Sequence, residues 1–482
     1  MRRRSLVLAL SLLLPASAFA QAQPQAAPTP TPTSTTARSK APVVLTAAPA
    51  DWRALDGQHV RIAAPLTLAG TDGLERFGQL TVAFDGRLWQ PTEVAAPGTA
   101  GIEQVMADNQ RRRLVLDDGS DARDPGSVPY LAGNPVLRTG MQLRNVEGTV
   151  RVDAQGRPSL QVDGTLKLPD LQRPAVPKVA GSLHIAAFNL ENYFNGDGQG
   201  GGFPTLRGAR TLEEHKAQVA KLVATISALD AHIAALMELE NDGYGPQSAI
   251  AELLAALNAT LEPAQQWAMV DAGEGPGTNP IRVGIIYRKG LFKPLGAPLT
   301  KLDGPFAEHS RAPLAQAFQG KGAPFMVVAN HFKSKGCRDA AGADADRNDG
   351  QGCWNATRVE SARQLNQWVG AEAARLKVKD IVLLGDFNAY AQEDPIRTLH
   401  DLGWQDAFKV AKVEHPYSYV YNGYTGRLDH ALLSPGMAQR LRGAAEWHSN
   451  ADEQDASGYQ GRNVPGPWRS SDHDPLLLGF DR

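Results

Sequence analysis

The sequence lacks three features that would each point to a class of protein. It has no basic excess, since 49 Lys and Arg residues stand against 51 Asp and Glu residues. Its charge therefore does not favour a protein whose only role is to bind nucleic acid through a broad basic surface. It also has no apolar run of the roughly 20 residues that a membrane-spanning helix needs. Finally, it has only two cysteines, which leave room for one disulfide at most.

The first twenty residues have the pattern of a secretory signal peptide. Arginines at positions 2–4 precede an apolar stretch at 6–14, and a small-residue site follows at 18–20. We predict cleavage near Ala20 and a secreted protein, either extracellular or periplasmic. The alternative is a membrane anchor, but the apolar stretch is too short to span a bilayer. Residues 21–42 are rich in Pro, Thr and Ala, which predicts a disordered linker.

Two folded domains are predicted beyond this linker. Residues 43–168 contain short alternating apolar runs broken by Gly, Asp and Pro, which is typical of a small all-β domain such as a barrel. Residues 169–181 contain three prolines and are predicted to be a second linker. Residues 182–482 alternate strand-like apolar runs with amphipathic helical stretches, which predicts one α/β domain. The periodicity leaves open whether its sheet is single or double.

Several of the apolar runs in this second domain end in a polar residue that does not belong in a core. Carboxylates at the ends of separate buried strands converge at one rim of a sheet, where active sites are commonly assembled. Because clustered acids repel each other, they require a hard cation such as Mg²⁺ unless they are protonated or paired with bases. The residues in question are Asn189, Glu238, His331, Asp386, Asp429, Asp472 and His473.

Each of these residues also has an ordinary structural interpretation. Glu238 could pair with a surface lysine, and Asp386 could cap the turn that follows a buried strand. His473 is harder to explain in this way, because an imidazole flanked by acids has the composition of an oriented general base. Six isolated histidines have no such context and are expected to be structural. They are His59, His184, His215, His232, His400 and His448.

The two cysteines, Cys337 and Cys353, enclose a short acidic loop. In an exported protein such a pair favours a disulfide over metal ligation, with a contribution of about 3 kcal/mol to stability. Within the loop, Asp344, Asp346 and Asn348 have the spacing of the first EF-hand ligands, but the glycine comes one place late and the final Glu is missing. We therefore hypothesise a looser structural Ca²⁺ site, with a solvated acidic loop as the alternative.

Taken in chain order, these residues lie in motifs that resemble the endonuclease/exonuclease/phosphatase superfamily, which includes deoxyribonuclease I. The resemblance covers the chain from about residue 182 and implies a four-layer α/β sandwich, in which two packed β-sheets are flanked by helices. The N-terminal region adds a resemblance to bacterial extracellular nucleases in which an OB-like domain precedes the catalytic one. The motifs are FNLENYF, LMELEND, HSRAPLAQAF, ANHFKSKG, LLGDFNAY, RLDHALLS and SDHDPLLLGF.

The resemblance implies a set of metal ligands for Mg²⁺ or Mn²⁺. Glu238 would be the principal ligand, with Glu191 and Asp472 beside it, and Glu191 could act through a water molecule. Because Glu240 follows Glu238 closely, the choice between the two acids rests on how the motif is aligned, and Glu238 is our prediction.

The resemblance also implies roles for two histidines. His473, held in its tautomer by Asp429, would be the general base or a transition-state stabiliser. His331 would be the general acid or a phosphate ligand, as in the deoxyribonuclease I branch. His430 departs from the motif, since many relatives carry a Tyr or another bulky residue there, and we interpret it as tolerated variation.

Four further residues would face the substrate according to the same resemblance. Asp386 and Asn388 would orient the attacking water and the scissile phosphate. Arg311 and Asn189 would contact the substrate itself. This division of labour suits phosphodiester hydrolysis, which needs a deprotonated water and neutralisation of charge on the nonbridging oxygens.

We therefore predict a secreted, divalent-metal-dependent endonuclease that hydrolyses extracellular DNA, with RNA as a further possible substrate, and that acts as a monomer. A fold-level likeness does not fix the substrate, so an extracellular phosphatase or a lipid phosphodiesterase of the same superfamily is an alternative. A lipid enzyme would need exposed apolar loops, for which the sequence has no strong candidate. A noncatalytic nucleic-acid-binding protein is the alternative from another class.

The β-rich domain could also bind single-stranded nucleic acid. Small barrels often do so through basic grooves and aromatic platforms. The candidates are the arginines at positions 111–113 together with Trp89 and Tyr130. The alternative is that this domain packs against the catalytic domain and binds nothing.

Overall fold

The computed structural model describes residues 41–482. The predicted signal peptide, residues 1–20, and nearly all of the predicted linker at 21–42 lie outside the described residues. From Pro42 to Arg482 the chain forms one compact unit. No helix in this part of the chain is long and apolar enough to cross a membrane.

The N-terminal region is built mainly of strands. They are β1 (Val43–Leu45), β2 (His59–Ile62), β3 (Leu66–Gly70), β4 (Leu80–Phe84), β5 (Leu88–Trp89), β6 (Arg113–Asp117), β7 (Gln142–Leu143), β8 (Val146–Val152) and β9 (Pro158–Val162). The helices are α1 (Leu74–Phe77), α2 (Pro91–Val94) and α3 (Ala100–Arg112). The region from 163 to 182, which includes the predicted second linker, contains no helix or strand.

Eight of these strands form one sheet in the order β1-β2-β8-β9-β6-β4-β3-β7. Only residues 63–65 separate β2 from β3, and only residues 144–145 separate β7 from β8. Since β2 pairs with β8 and β3 pairs with β7, the two ends of the sheet return to each other. The enclosed core contains side chains such as Val60, Val82, Leu116 and Leu160. The OB-like assignment of this domain stays a prediction.

Helix α3 is the main difference from the predicted all-β domain. Arg111 and Arg112 belong to the last turn of α3, and strand β6 begins at Arg113. Basic side chains in the last turn of a helix interact favourably with its dipole. Arg112 also donates to the carbonyl of Phe84 at 3.0 Å, so tertiary contacts hold this arginine in the helix.

The C-terminal region alternates strands and helices as expected. Its strands are β10 (Leu183–Tyr193), β11 (Ile233–Glu240), β12 (Trp267–Met269), β13 (Ile281–Arg288), β14 (Lys293–Thr300), β15 (Leu314–Gln319), β16 (Phe325–His331), β17 (Asp380–Asp386), β18 (Gln405–Asp406), β19 (Tyr419–Tyr421), β20 (Tyr424–Gly426), β21 (Asp429–Leu433), β22 (Leu441–Glu446) and β23 (Leu476–Phe480). Its helices are α4 (Leu212–Leu229), α5 (Ala249–Asn258), α6 (Pro305–Glu308), α7 (Asn355–Leu376), α8 (Asp394–Asp401), α9 (Ala407–Val410) and α10 (Pro435–Arg440).

Two six-stranded sheets pack face to face in this region. Their strand orders are β12-β13-β11-β10-β23-β22 and β14-β15-β16-β17-β21-β18. The core between them takes side chains from both sheets, among them Ile185 from β10 and Val327 from β16. Because side chains alternate along a strand, the neighbouring Ala186 and Phe188 point to the other face of the first sheet.

Helices cover the outer faces of both sheets. On the first sheet, Leu222 of α4 and Leu253 of α5 pack against the outward side chains of β10 and β11. On the second sheet, Leu365 of α7 and Ile396 of α8 do the same. The resulting order is helix, sheet, sheet, helix, which confirms the predicted four-layer α/β sandwich.

The β-rich domain packs directly on the sandwich. Strand β5 pairs in parallel with β20, and β20 pairs with β19, so the two regions share a three-stranded sheet. Buried ion pairs join them as well, with 2.6 Å from Arg138 Nη1 to Glu453 Oε1 and 2.9 Å from Arg87 Nη2 to Asp452 Oδ1. The predicted alternative, in which this domain packs against the catalytic one, therefore describes the arrangement.

Several side chains proposed for nucleic-acid binding in the β-rich domain make contacts within the protein, either inside this domain or across its boundary. Tyr130 is 1% exposed and its hydroxyl donates to Gly78. Trp89 lies in β5 with its ring 6.3 Å from that of Tyr417. Arg113 donates to the carbonyl of Asn422 across the domain boundary. Arg111 is exposed in the last turn of α3, and the nucleic-acid-binding role of this domain stays a prediction.

Cys337 and Cys353 form the predicted disulfide. In the loop between them, both carboxylate oxygens of Asp344 accept hydrogen bonds from Thr357, one from its backbone N at 2.8 Å and one from its hydroxyl at 2.7 Å. Asp346 accepts from the backbone N of Asn348. Asp344 therefore satisfies the first turn of α7, and the Ca²⁺ hypothesis stays a prediction.

The buried ion pair between Arg427 and Asp406 gives a stability prediction. Two guanidinium nitrogens contact the carboxylate at 3.2 and 2.6 Å, and both side chains are buried. We expect Arg427→Ala to lower the free energy of unfolding by about 3–5 kcal/mol, because it leaves a buried carboxylate without its partner. Urea unfolding followed by circular dichroism measures this change.

The matched control is Arg442→Ala. Its ion pair with Asp481 is about half exposed on both sides, so its loss should cost about 0–1 kcal/mol. Equal losses in the two variants would contradict the assignment of a structural role to the buried pair.

Candidate active site

The predicted site residues meet at one rim of the sandwich because of strand direction. β10 and β11 run parallel and place Asn189 and Glu238 toward their carboxyl ends. β16 and β17 also run parallel, and His331 pairs in register with Asp386 at their last residues. β21 is antiparallel to β17 and begins at Asp429, opposite Asp386. Ends and beginnings of strands from both sheets thus face the same edge.

His473 is held at this rim by hydrogen bonds to Asp429. The distance from His473 Nδ1 to Asp429 Oδ2 is 2.7 Å, and Ser418 Oγ donates to the same carboxylate oxygen at 2.7 Å. The ring of Tyr419 packs on the imidazole at 4.6 Å between centroids. Because Nδ1 is committed to Asp429, Nε2 is the ring atom that can exchange a proton; it has no hydrogen-bond partner within residues 41–482.

Glu238 occupies the facing side of the rim. Its Oε2 accepts from the backbone N of Asn192 at 2.9 Å, and its Oε1 lies 3.8 Å from His331 Nε2. The backbone is unusual here, since Glu238, Glu191 and Asn192 all have φ between 53° and 61°. Non-glycine residues in this region cost about 1–3 kcal/mol each and cluster at functional sites. These strained backbone positions lie where the acidic side chains come together.

Asp386 lies between the two sides. Its Oδ2 accepts from Asn189 Nδ2 at 3.3 Å and lies 3.4 Å from His331 Nε2. Its Oδ1 accepts from the backbone N of Asn388 at 2.8 Å, so the ordinary interpretation, a capped turn after a strand, is also correct. The amide of Asn388 donates to the carbonyl of Phe332 at 3.1 Å.

Arg311 supplies positive charge on the same side as His331. Its backbone N donates to the carbonyl of His331, and its Nη1 donates to the carbonyl of Phe332 at 2.8 Å. Its Nε is buried and has no hydrogen-bond partner among the described residues. A buried guanidinium with unused donors is suited to a bound phosphate.

The pKa values of the acids show how crowded the rim is. Burial raises the pKa of Glu191 to about 8 and that of Asp386 to about 7, and neighbouring carboxylates add to both shifts. Burial, reinforced by the charge of Asp472, also raises the pKa of Glu238. The acids therefore lack enough positive charge around them to be fully ionised together near neutral pH.

The two histidines shift in opposite directions. Burial lowers the pKa of His331 well below its ordinary value, and Arg311 adds to the effect. Burial also acts against the charged form of His473, but Asp429 and Asp472 outweigh it and raise its pKa well above the ordinary value. The rim therefore contains one imidazole that favours the neutral form, His331, and one that favours the charged form, His473.

The predicted metal ligands can be tested against this arrangement. Among residues 41–482, no three His, Cys, Asp or Glu side chains form a ready-made metal cluster. The donors present are nevertheless oxygens, and Glu238 Oε1 has no hydrogen-bond donor within reach in the described chain. Buried carboxylates with raised pKa values are chemically suited to bind a hard divalent cation. Glu240, the other candidate, instead accepts from the backbone N of Asn195 at 3.0 Å.

Arg469 is a further charged residue at the rim that the sequence patterns do not indicate. This buried arginine donates to Asp455 at 2.7 Å and to the carbonyl of Ser471. It acts against the burial that raises the pKa of Glu191. Its place three residues before Asp472 was the available signal, but sequence spacing alone does not show that its side chain turns back toward the acids.

The family profile described as the endonuclease/exonuclease/phosphatase family matches residues 188–473. The chain belongs to this family. Enzymes of the family are hydrolytic and generally depend on divalent metal ions. No curated protein matches the chain closely enough to count as a relative.

Solved structures with low sequence identity resemble part of this chain. One is an endonuclease/exonuclease/phosphatase from Bacteroides vulgatus, with 16% identity, a TM-score of 0.39 and coverage of 61% of this chain and 97% of that one. The mannosyl-6-phosphatase of Bacteroides thetaiotaomicron has 16% identity, a TM-score of 0.40 and coverage of 62% and 99%. TDP2 of D. rerio, complexed with a single-stranded DNA product, has 15% identity, a TM-score of 0.39 and coverage of 62% and 99%.

The link between Asp429 and His473 gives a prediction that requires no substrate. Asp429→Asn keeps an oxygen acceptor for Nδ1 but removes the negative charge, so the pKa of His473 should fall. An NMR titration of the His473 ring measures the change. Asp481→Asn, which removes a carboxylate at the exposed C-terminus, serves as the control and should leave this pKa where it is. An unchanged pKa in Asp429→Asn would show that Asp429 does not set the charge of His473.

Proposed function

We propose that the chain is a secreted, divalent-metal-dependent phosphodiesterase that cleaves nucleic acid, with DNA as the expected substrate and RNA as a further one. The observation that carries the proposal is the pairing of an Asp-oriented imidazole, His473, with a cluster of carboxylates across the rim. Arg311 adds unused guanidinium donors on the same side as His331. Together these groups supply proton transfer and charge neutralisation, the two requirements of phosphodiester hydrolysis.

In this proposal His473 Nε2 takes a proton from the attacking water. Asp429 fixes the tautomer by accepting from Nδ1, and the ring of Tyr419 limits its rotation. Asp386 and Asn388 position the water and the phosphate from the end of β17. His331 is neutral because of its burial, so it donates a hydrogen bond to a phosphate oxygen rather than a full positive charge.

Glu238, with Glu191 and Asp472 nearby, would hold the cation. When bound, the cation supplies Lewis-acid stabilisation of negative charge on phosphate oxygens. The acids that raise the pKa of His473 include Asp472, whose charge a cation would offset. The pKa of His473 should therefore be lower in the cation-bound protein, which suits a base.

The activity is tested by incubating the purified mature protein with plasmid DNA, RNA, bis(p-nitrophenyl) phosphate, a phosphomonoester and sphingomyelin. Each substrate is tested with Mg²⁺ and with EDTA. We expect cleavage of nucleic acid and of the small diester with Mg²⁺ only. Hydrolysis of the phosphomonoester or of the lipid alone would replace the nuclease with one of its superfamily alternatives.

Two substitutions test the residue roles. His473→Ala should lower kcat by about 10²–10⁴-fold because it removes the proton acceptor, and Glu238→Gln should abolish metal-dependent turnover because it removes the charged ligand. The matched controls are His59→Ala, at an exposed histidine of β2, and Glu360→Gln, on an exposed face of α7. Circular dichroism establishes that each variant folds. Wild-type rates in either site variant would place the chemistry elsewhere.

We also propose that the protein is exported. If residues 1–20 are a signal peptide, the protein recovered outside the cytoplasm should begin near Gln21. Intact mass measurement and N-terminal sequencing of that protein test the cleavage position. A protein that retains Met1–Ala20 would contradict it.

A further inference from the structure

The loop that follows β10 brings an unpaired arginine, Arg207, toward the candidate active site. The guanidinium of Arg207 makes no hydrogen bond or ion pair with any residue in the range 41–482. It is exposed, and the neighbouring Leu206 is 78% exposed. Arg207 therefore faces solvent and has no structural partner that would explain it.

The base of this loop rests on the backbone that holds Glu238. Gly208 has φ of +80°, and a Cβ there would lie only 2.2 Å from the carbonyl oxygen of Asn192. The backbone N of Asn192 in turn donates to Glu238 at 2.9 Å. Because Gly208 packs against Asn192 this closely, its neighbour Arg207 is tied to the rim of the site.

Hydrogen bonds fix the shape of the loop. The Thr205 hydroxyl donates to the carbonyls of Arg207 and Ala209, and the backbone N of Thr205 donates to Ala209 at 3.1 Å. From across the fold, Gln460 donates to the carbonyl of Gly208 at 2.7 Å. The backbone of Arg207 is thus held in place while its side chain stays free.

Lys333 is a second cation without a charged partner beside the site. It follows the end of β16 by two residues, and its Nζ lies 4.8 Å from the ring centroid of Trp354, with no ion pair in the described chain. Its pKa is lowered first by burial and then by neighbouring cations, among them Arg311 and Arg207. Arg207 is therefore close enough to Lys333 to lower its pKa, while Asp339 acts in the opposite direction; Gly208 ties Arg207 to the rim and Lys333 follows His331 by two residues.

We propose that Arg207 and Lys333 form a second phosphate-binding site, which holds a backbone phosphate of a polynucleotide strand next to the phosphate that is cleaved. This inference rests on the proposed function and narrows the substrate class to a chain with several phosphates. Arg311 donates to the carbonyl of Phe332 and is assigned to the phosphate that is cleaved, so the two unpaired cations are available for a flanking phosphate. A substrate with a single phosphate cannot use both positions.

Binding is measured first, so that the result does not depend on hydrolysis. A fluorescently labelled single-stranded DNA 20-mer is titrated into the Glu238→Gln protein between 50 and 200 mM salt, with and without Arg207→Ala. Each phosphate contact on a single strand contributes about 0.7 to the slope of log affinity against log salt. Arg207→Ala should lower the slope by about this amount and weaken binding about threefold more at 50 mM than at 200 mM. Lys333→Ala should have a similar effect.

Turnover of two substrates then separates the second site from the catalytic one. In the otherwise wild-type protein, Arg207→Ala should raise KM for the 20-mer and leave kcat/KM for bis(p-nitrophenyl) phosphate unchanged. The control is Lys216→Ala on α4, which removes one exposed positive charge and should change neither the salt slope nor KM.

The outcomes distinguish a failure of the second phosphate-binding site from a failure of the proposed function. Equal losses on the 20-mer and on the small diester would overturn the second site, because Arg207 would then act at the scissile phosphate. An unchanged salt slope in Arg207→Ala would overturn it as well. If the wild-type protein binds the 20-mer through Arg207 but cleaves neither substrate, the second site stands and the proposed function fails.

Discussion

The constraint on which the site depends is the burial of several carboxylates at one edge of two packed sheets. Glu191, Glu238 and Asp386 all have raised pKa values because burial and mutual repulsion disfavour their charged forms. The fold offsets this cost only in part, through Arg469 and the proton held by His473. Because the site has too little positive charge for its carboxylates, it is suited to bind a cation. That cation would also neutralise negative charge on the phosphate of a substrate.

Much of the C-terminal fold follows from local sequence patterns. The apolar runs that contain Ile185, Val327 and Leu384 form buried strands, and the amphipathic stretches between them form the covering helices. The doubling of the sheet could not be derived in this way, because pairing between distant strands such as β10 and β23 leaves no periodic signal. The prediction of two packed sheets came from the resemblance to the superfamily. Helix α3 was not predicted in the β-rich domain, and its last residue, Arg112, donates to the carbonyl of Phe84, which is distant in sequence.

The site residues likewise divide into those that a local sequence pattern predicts and those whose positions depend on contacts distant in sequence. Residues at strand ends, such as Asp386 and His331, could be found from the sequence, since a polar residue that ends an apolar run is a local signal. Arg469 and Arg207 carry no such signal. Their positions depend on loops that fold back onto the rim, through Ser471 in one case and Asn192 in the other. The β-rich domain illustrates the converse, because Tyr130 is available in the sequence but buried in the fold.

The measurement that tests the central claim most directly is the anomalous diffraction of crystals soaked in Mn²⁺. If the rim is a cation site, a strong peak should lie within about 2–2.6 Å of carboxylate oxygens that include Glu238, and the Glu238→Gln protein should lack it. A peak confined to the loop at Asp344 and Asp346, with none beside Glu238, would contradict the account.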